Sequence, residues 1–257
     1  MRRWCLVVLA IASACSDGDE PLPDGGPVGT PSIDGTPLST FVGTSCSTGD
    51  VIALATQIAE EVNCANPGEL VAFEEGPAIM FTGSAVLPYL GEAGRTALYA
   101  AADEANGRVL RVTSAFRTVV QQYLLFRWFQ QGRCGITAAA DPGDSNHESG
   151  RALDVSNYSE WIATLDAHGW SHDVPGDPVH FDHLASPDIR GADVLAFQRL
   201  WNRNTPADEH IAEDGAYGPM TEAAILRSPA EGFGIGASCA ARMIARSARA
   251  DVPECGL

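Results

Sequence analysis

The sequence contains no lysine. All 16 of its basic residues are arginine, set against 33 aspartates and glutamates, for a net charge of -17 over 257 residues. So little positive charge excludes a nucleic-acid binder, because phosphate contacts need a basic face. It excludes equally a protein held on a membrane by a polybasic patch. The apolar run Trp4 to Ala14 is shorter than the roughly 20 residues a membrane-spanning helix needs. What is present suffices for a globular core, since 45% of the residues are hydrophobic and the length suits one or two domains. Seven cysteines point to an oxidising compartment, or to metal or redox use.

Arg2 and Arg3 precede the short apolar run, which ends in Ala12-Ser13-Ala14-Cys15. Small residues before a cysteine resemble a bacterial lipobox. That resemblance implies a signal peptide over residues 1–14 and acylation of Cys15. An ordinary secretory signal cleaved nearby is the alternative. Two or three acyl chains, at about 0.8 kcal/mol per buried CH₂, would hold the protein stably on a membrane. The expected location is the bacterial cell envelope, as a lipoprotein facing the periplasm. Residues 15–45 follow as a linker, with Pro21, Pro23, Pro27, Pro31 and Pro37 interleaved with Gly25, Gly26, Gly29 and Gly35. A segment so poor in apolar side chains is expected to stay extended and disordered.

Order is expected from Cys46. Asp50 reads as an N-cap, and Val51, Leu54, Ala55, Ile58 and Val62 recur at helical spacing. Cys46 and Cys64 bracket this helix, and a bridge between them would contribute about 3 kcal/mol. Residues 70–73 and 78–81 are short strand or turn candidates. Helices are expected over 87–106, 118–131 and 160–168, and strands over 109–114, 152–155 and 179–184. Short strands mixed with helices, without regular βαβ repeats, indicate an α+β fold with a small antiparallel sheet and flanking helices.

Three segments carry chemistry. The first is Ser145-Asn146-His147-Glu148-Ser149-Gly150-Arg151-Ala152-Leu153-Asp154, which reads S-x-H-x-x-G-x-A-x-D. The second is Asp177-Pro178-Val179-His180-Phe181-Asp182-His183, and the third is Ser114-Ala115-Phe116-Arg117-Thr118 with Gln122 beyond it. Two histidines and an aspartate make an open zinc site, whose fourth position is left for water. A nearby carboxylate can take the proton of that water during attack.

These motifs resemble the zinc D-alanyl-D-alanine carboxypeptidases related to the vancomycin-resistance D,D-carboxypeptidases. The L-alanyl-D-glutamate endopeptidases and the hedgehog signalling domain share the architecture. The resemblance covers roughly residues 68–186. It implies one zinc ion per chain on His147, Asp154 and His180, with Asp177 as general base. Arg117 would bind the substrate carbonyl or carboxylate and stabilise the oxyanion, with Ser114, Thr118 and Ser145 supporting substrate binding. Gln122 is read as an orienting or packing residue. Many D,D-carboxypeptidases of this superfamily place glutamate where this chain has Asp177, and several L-alanyl-D-glutamate endopeptidases use aspartate. The cleaved bond therefore stays open between D-Ala-D-Ala, which is favoured, and L-Ala-D-Glu. A wall-binding lipoprotein without catalysis is the reading from another class. Of the neighbouring residues, His183 falls on the opposite strand face from His180. His172 is read as an exposed loop residue and Asp182 as outer-sphere or solvated.

Beyond residue 186 the pattern F-Q-x-L-W from Phe197 to Trp201, followed by D-G-x-Y-G-x-x-T from Asp214 to Thr221, resembles the small three-helix peptidoglycan-binding domain of wall hydrolases. Gly218 is assigned a positive φ and Pro219 the first helical turn. The expected organisation is a catalytic domain over 46–186 and a helical peptidoglycan-binding-like domain over 187–257. Residues 238–249 form a tail helix in this reading. Cys239 and Cys255 bracket it as another candidate pair, and Cys134 is a disulfide partner or a buried thiol. The implied partners are peptidoglycan stem peptides and, through the anchor, a membrane. No nucleic acid and no protein partner is implied.

Overall fold

Alternation of apolar and polar side chains decides the sheet. In chain order the elements are α1 (Ser39–Thr44), α2 (Ile52–Ala65), β1 (Val71–Ala72), β2 (Ile79–Phe81), β3 (Tyr89–Leu90), α3 (Glu92–Asp103), β4 (Leu110–Ser114), α4 (Val119–Gln130), β5 (Ala152–Val155), α5 (Ile162–Ala167), β6 (His180–Asp182), α6 (Ala192–Asn204) and α7 (Pro219–Arg227). A computed structural model describes residues 26–241. The expectations for the leader, for Cys15, for most of the tail helix and for Cys255 lie outside them. Among the described residues no helix is long and apolar enough to cross a membrane.

The fold is α+β, and the main sheet has the order β2-β4-β5-β6. It is mixed rather than antiparallel throughout. β2 runs parallel to β4, while β4–β5 and β5–β6 are antiparallel. The chain between β2 and β4 passes through β3 and α3, a crossover that returns it in the same direction. β1 and β3 form a separate two-stranded ribbon, so residues 89–90 are strand where helix was expected. Leu110, Val112, Leu153, Val155 and Phe181 face one core, with Leu98 and Ala101 of α3, Leu165 of α5, Trp161 and Trp170. The opposite face is left to the intervening residues, among them Asp154, His180 and Asp182.

A second core is helical. Leu54, Ile58 and Val62 of α2, Val120, Leu124 and Trp128 of α4, Phe197, Leu200 and Trp201 of α6 and Ile225 of α7 share it. α2 and α6 make the most extensive helix–helix contact. The core therefore crosses the boundary expected at 186/187. Part of the expected tether is packed as well. Leu38 is fully buried, its N–H donates to Ser228 O at 2.9 Å, and Ala230 N–H donates to Thr36 O at 2.9 Å. Leu38, with Ile33, Phe41 and Val42 packed about the same core, supplies the apolar surface that proline and glycine lack.

The disulfides are Cys46–Cys134 and Cys64–Cys239, with Cα–Cα distances of 5.3 and 5.4 Å. They replace the expected 46–64 and 239–255 pairs. Cys46 precedes helix α2 and Cys64 lies in its last turn, and the 14 residues of the helix span about 20 Å, whereas a bridge needs Cα atoms within about 7 Å. Asp50 does not cap α2. It sits in a 3₁₀ turn, Thr48–Val51, whose cap is Ser47, the side chain accepting from Gly49 N–H. The left-handed residue near α7 is Gly215 (φ 69), while Gly218 is extended (φ -160). Gln198 explains the F-Q and D-G-x-Y-G-x-x-T pattern. Its Oε1 accepts from Asp214 N–H at 3.0 Å and Gly215 N–H at 2.9 Å, and its Nε2 donates to Asp214 Oδ1, Ala216 O and Thr221 Oγ1.

Candidate metal centre

Strand register builds the first part of the site. Ser114 of β4 stands opposite Asp154 of β5, and Asp154 stands opposite His180 of β6. An irregularity between Val112 and Ser114 shifts the register of β4, so that Ser114 joins this row. His147 arrives from the loop after α4. Gly150 ends that loop at φ 71, where a Cβ would meet Leu70 Cδ2 at 3.1 Å. The loop is tied to the start of α4 by Arg117 N–H, which donates to His147 O at 3.3 Å.

The side chains of His147, Asp154 and His180 present ligand atoms that all lie within 4.8 Å of one another, a possible metal site. Asp154 Oδ1 is 3.2 Å from His147 Nε2 and 3.2 Å from His180 Nδ1. The other nitrogen of each ring is already committed. His147 Nδ1 lies 2.7 Å from Ala115 O, to which it can only donate. His180 Nε2 lies 3.0 Å from Asp182 Oδ1, and Asp182 Oδ2 accepts from Asn146 Nδ2 at 2.9 Å. These contacts select the tautomers that aim His147 Nε2 and His180 Nδ1 at the centre. Two imidazole nitrogens and one carboxylate oxygen suit a borderline cation such as zinc, whereas magnesium and calcium favour oxygen.

Electrostatics follow from this crowding. Burial raises the Asp154 carboxyl, but His147, His180 and Arg117 outweigh it and hold the group well below the usual carboxylate range. Burial opposes charge on His180, yet Asp154 and Asp182 push its pKa up to about 9 in the metal-free chain. Burial, then the Arg117 charge, lowers His147. Arg117 donates from Nη1 to Gln122 Oε1 at 2.9 Å and from Nη2 to Ser114 Oγ at 3.2 Å, and its Nη2 is 3.5 Å from Asp154 Oδ2. Gln122 Nε2 in turn donates to Ala140 O at 2.8 Å, so Gln122 orients the guanidinium. Burial lowers the Arg117 pKa, and Asp154, Glu148 and Asp177 oppose that shift.

The remaining expected residues have contacts of their own. Asp177 lies on the segment before β6, half-buried, with its carbonyl accepting from His180 N–H at 3.3 Å. His172 is not simply an exposed loop residue. Its Nε2 lies 2.7 Å from Pro178 O and its ring packs between Tyr158 and Phe181, pinning the Asp177 segment. Thr118 is fully buried at the N-cap of α4, where its N–H donates to Gln121 Oε1 at 3.3 Å. Its place is the start of the helix. Ser145 is buried as well, and its Oγ accepts from His147 N–H at 3.3 Å. That contact braces the loop at His147. His183 stands apart from the cluster, with Nδ1 2.9 Å from Ser186 Oγ and its ring against Trp170. Sequence reading gave Asp182 an outer-sphere or solvated place, and Asp182 holds the outer-sphere one, two positions after His180 on the same strand face. The reading missed Asn146 and the carbonyl of Ala115.

One comparison with known proteins bears directly on this geometry. Residues 92–174 match the family of VanY, D-alanyl-D-alanine carboxypeptidase. The matched stretch holds Arg117, His147 and Asp154, and ends just before Asp177 and His180. It points to a peptidase of the D-Ala-D-Ala carboxypeptidase type. No curated protein matches the chain.

Proposed function

We propose that the chain is a zinc-dependent peptidase of peptidoglycan stem peptides, acting on the D-Ala-D-Ala bond as a carboxypeptidase. The observation that carries this reading is the convergence of His147 Nε2, Asp154 Oδ1 and His180 Nδ1 in a VanY-like segment. Zinc, when bound there, supplies Lewis acidity for the attacked carbonyl and for the attacking water. The remaining roles belong to the chain. Asp177 takes the proton of the attacking water and passes it to the leaving amine. Arg117, held by Gln122 and Ser114, faces the carbonyl oxygen as negative charge develops there. Ala115 O and Asp182 keep both imidazoles in the tautomers that leave the inner nitrogens free.

The test is incubation of the zinc-loaded protein with a pentapeptide muropeptide, followed by mass spectrometry. Loss of a single alanine supports the carboxypeptidase. Release of the stem from muramyl-L-Ala transfers the reading to an L-alanyl-D-glutamate endopeptidase. No product from a zinc-loaded protein leaves the wall-binding lipoprotein without catalysis.

The proposed setting is the bacterial envelope, with the protein anchored through acylated Cys15 and the region after residue 186 acting as a wall-binding module. Two disulfides among the described residues fit an oxidising compartment. A groove of about 230 Å³ beside Gln198, Tyr217 and Met220 offers the module a contact surface. Cys15→Ser should release the protein from membranes, and unchanged membrane fractionation would contradict the anchor.

A further inference from the structure

The loop between α5 and β6 carries Asp177, and both of its ends are anchored at β6. Ser171 pairs with Asp182 through N–H···O bonds of 2.8 and 2.9 Å, one in each direction. At the other end His180 N–H donates to Asp177 O at 3.3 Å. Between these anchors the chain turns in solvent. Residues 173–176 are exposed, Gly176 is left-handed (φ 82), and Asp177 N–H donates to Val174 O at 3.2 Å. An exposed turn held by its own short-range bonds can swing as a unit, because few buried contacts fix it. Proton transfer needs the carboxylate at a set distance from the water it serves.

His172 supplies the contact that crosses the loop. Its Nε2 lies 2.7 Å from Pro178 O. A carbonyl oxygen only accepts, so Nε2 carries the hydrogen. The ring is held from two sides. Tyr158, from the turn after β5, stacks on it at 5.8 Å with 20° between the planes. Phe181 of β6, fully buried, lies against it at 4.7 Å. The imidazole therefore ties the returning arm of the loop to the sheet. The residue it binds directly follows Asp177. Proline has a fixed φ and biases the residue before it toward extended backbone, so little freedom separates this bond from Asp177.

We propose that His172 is a positioning residue for Asp177: its Nε2–H···O bond to Pro178 pins the returning arm of the loop and holds the general base in place ahead of His180. The proposal rests on the metal-peptidase reading above.

The test uses the full-length chain and compares H172F, which keeps a ring but no donor, with H172Q, whose amide N–H reaches where Nε2 stands. Zinc content and thermal unfolding are followed for every variant. In the metal-free chain, the Asp177 amide of H172F should exchange with solvent at least about tenfold faster than in wild type, and that of H172Q within about threefold. In the zinc-loaded chain, kcat for D-alanine release should fall by about ten- to a hundredfold in H172F, with zinc content and KM unchanged. H172Q should restore kcat to within about threefold of wild type. Added to Asp177→Ala, H172F should cost nothing further, because the group it positions is gone. Wild-type exchange and kcat in H172F, equal kcat in H172F and H172Q, or a full further loss in the double variant overturns the proposal. Where H172F does not fold, H172Q against H172N decides, since asparagine is too short to reach Pro178 O. Retained kcat in H172Q alone supports the proposal, and equal values overturn it. A zinc-loaded wild type without turnover overturns the peptidase reading, and the proposal with it. An active wild type beside an indifferent H172F overturns the proposal alone.

Discussion

Asp182 and Asp154 flank the two nitrogens of His180, and this has a consequence at the scale of a single residue. In the metal-free chain the folded pKa of His180 is raised to about 9, above an unfolded value near 6.5. A histidine raised in this way stabilises the fold fully below about pH 6.5, and the contribution is lost as pH rises through about 9. Asp182→Asn removes one of the two carboxylates and should shift that loss to lower pH. The thermal midpoint of the metal-free chain, followed from about pH 6 to 10, reads it. Buried Asp193, pushed up to about 7, titrates in the same window in both proteins, so the difference between variant and wild type carries the reading. Identical pH profiles for the variant and the wild type would contradict the assignment. The residues of the cluster itself were legible, because His147, Asp154 and His180 sit at fixed positions of recognisable motifs. The carbonyl of Ala115 was not, since a main-chain oxygen leaves no mark in a sequence. Thr118 and Ser145 are buried, with contacts at the start of α4 and in the His147 loop.

Among elements, β4, α4 and α6 followed from periodicity, because each turns one face to a core. The parallel placement of β2 did not, since it depends on where a crossover returns the chain. Nor did the disulfides, whose pairing depends on which loops tertiary packing brings together. The segment around α1 shows the opposite failure. Its prolines and glycines suggested a free tether, yet Leu38 is fully buried in the helical core. Leu38→Ala should therefore cost about 2–5 kcal/mol in denaturant unfolding, as buried leucines do. A loss within about 0.5 kcal/mol would mean that the segment is not packed in solution.

For the whole molecule, the division at residue 186 is the feature that packing redraws. α2, α4, α6 and α7 share one core, and the Cys64–Cys239 bridge joins the chain across that boundary. A chain ending at residue 186 would expose Leu54, Ile58 and Val62, at roughly 1.5–3 kcal/mol of lost burial for each large side chain. It should show no cooperative thermal unfolding, whereas an independent catalytic domain would unfold in a single sharp transition.

The central claim is that Asp177 performs proton transfer beside a metal held by His147, Asp154 and His180. Its most direct test is D-alanine release from a pentapeptide stem, measured per bound zinc for wild type and Asp177→Ala. The account predicts equal zinc content and a rate lowered by about 10²–10⁴-fold in the variant. Equal rates at equal zinc content would contradict it.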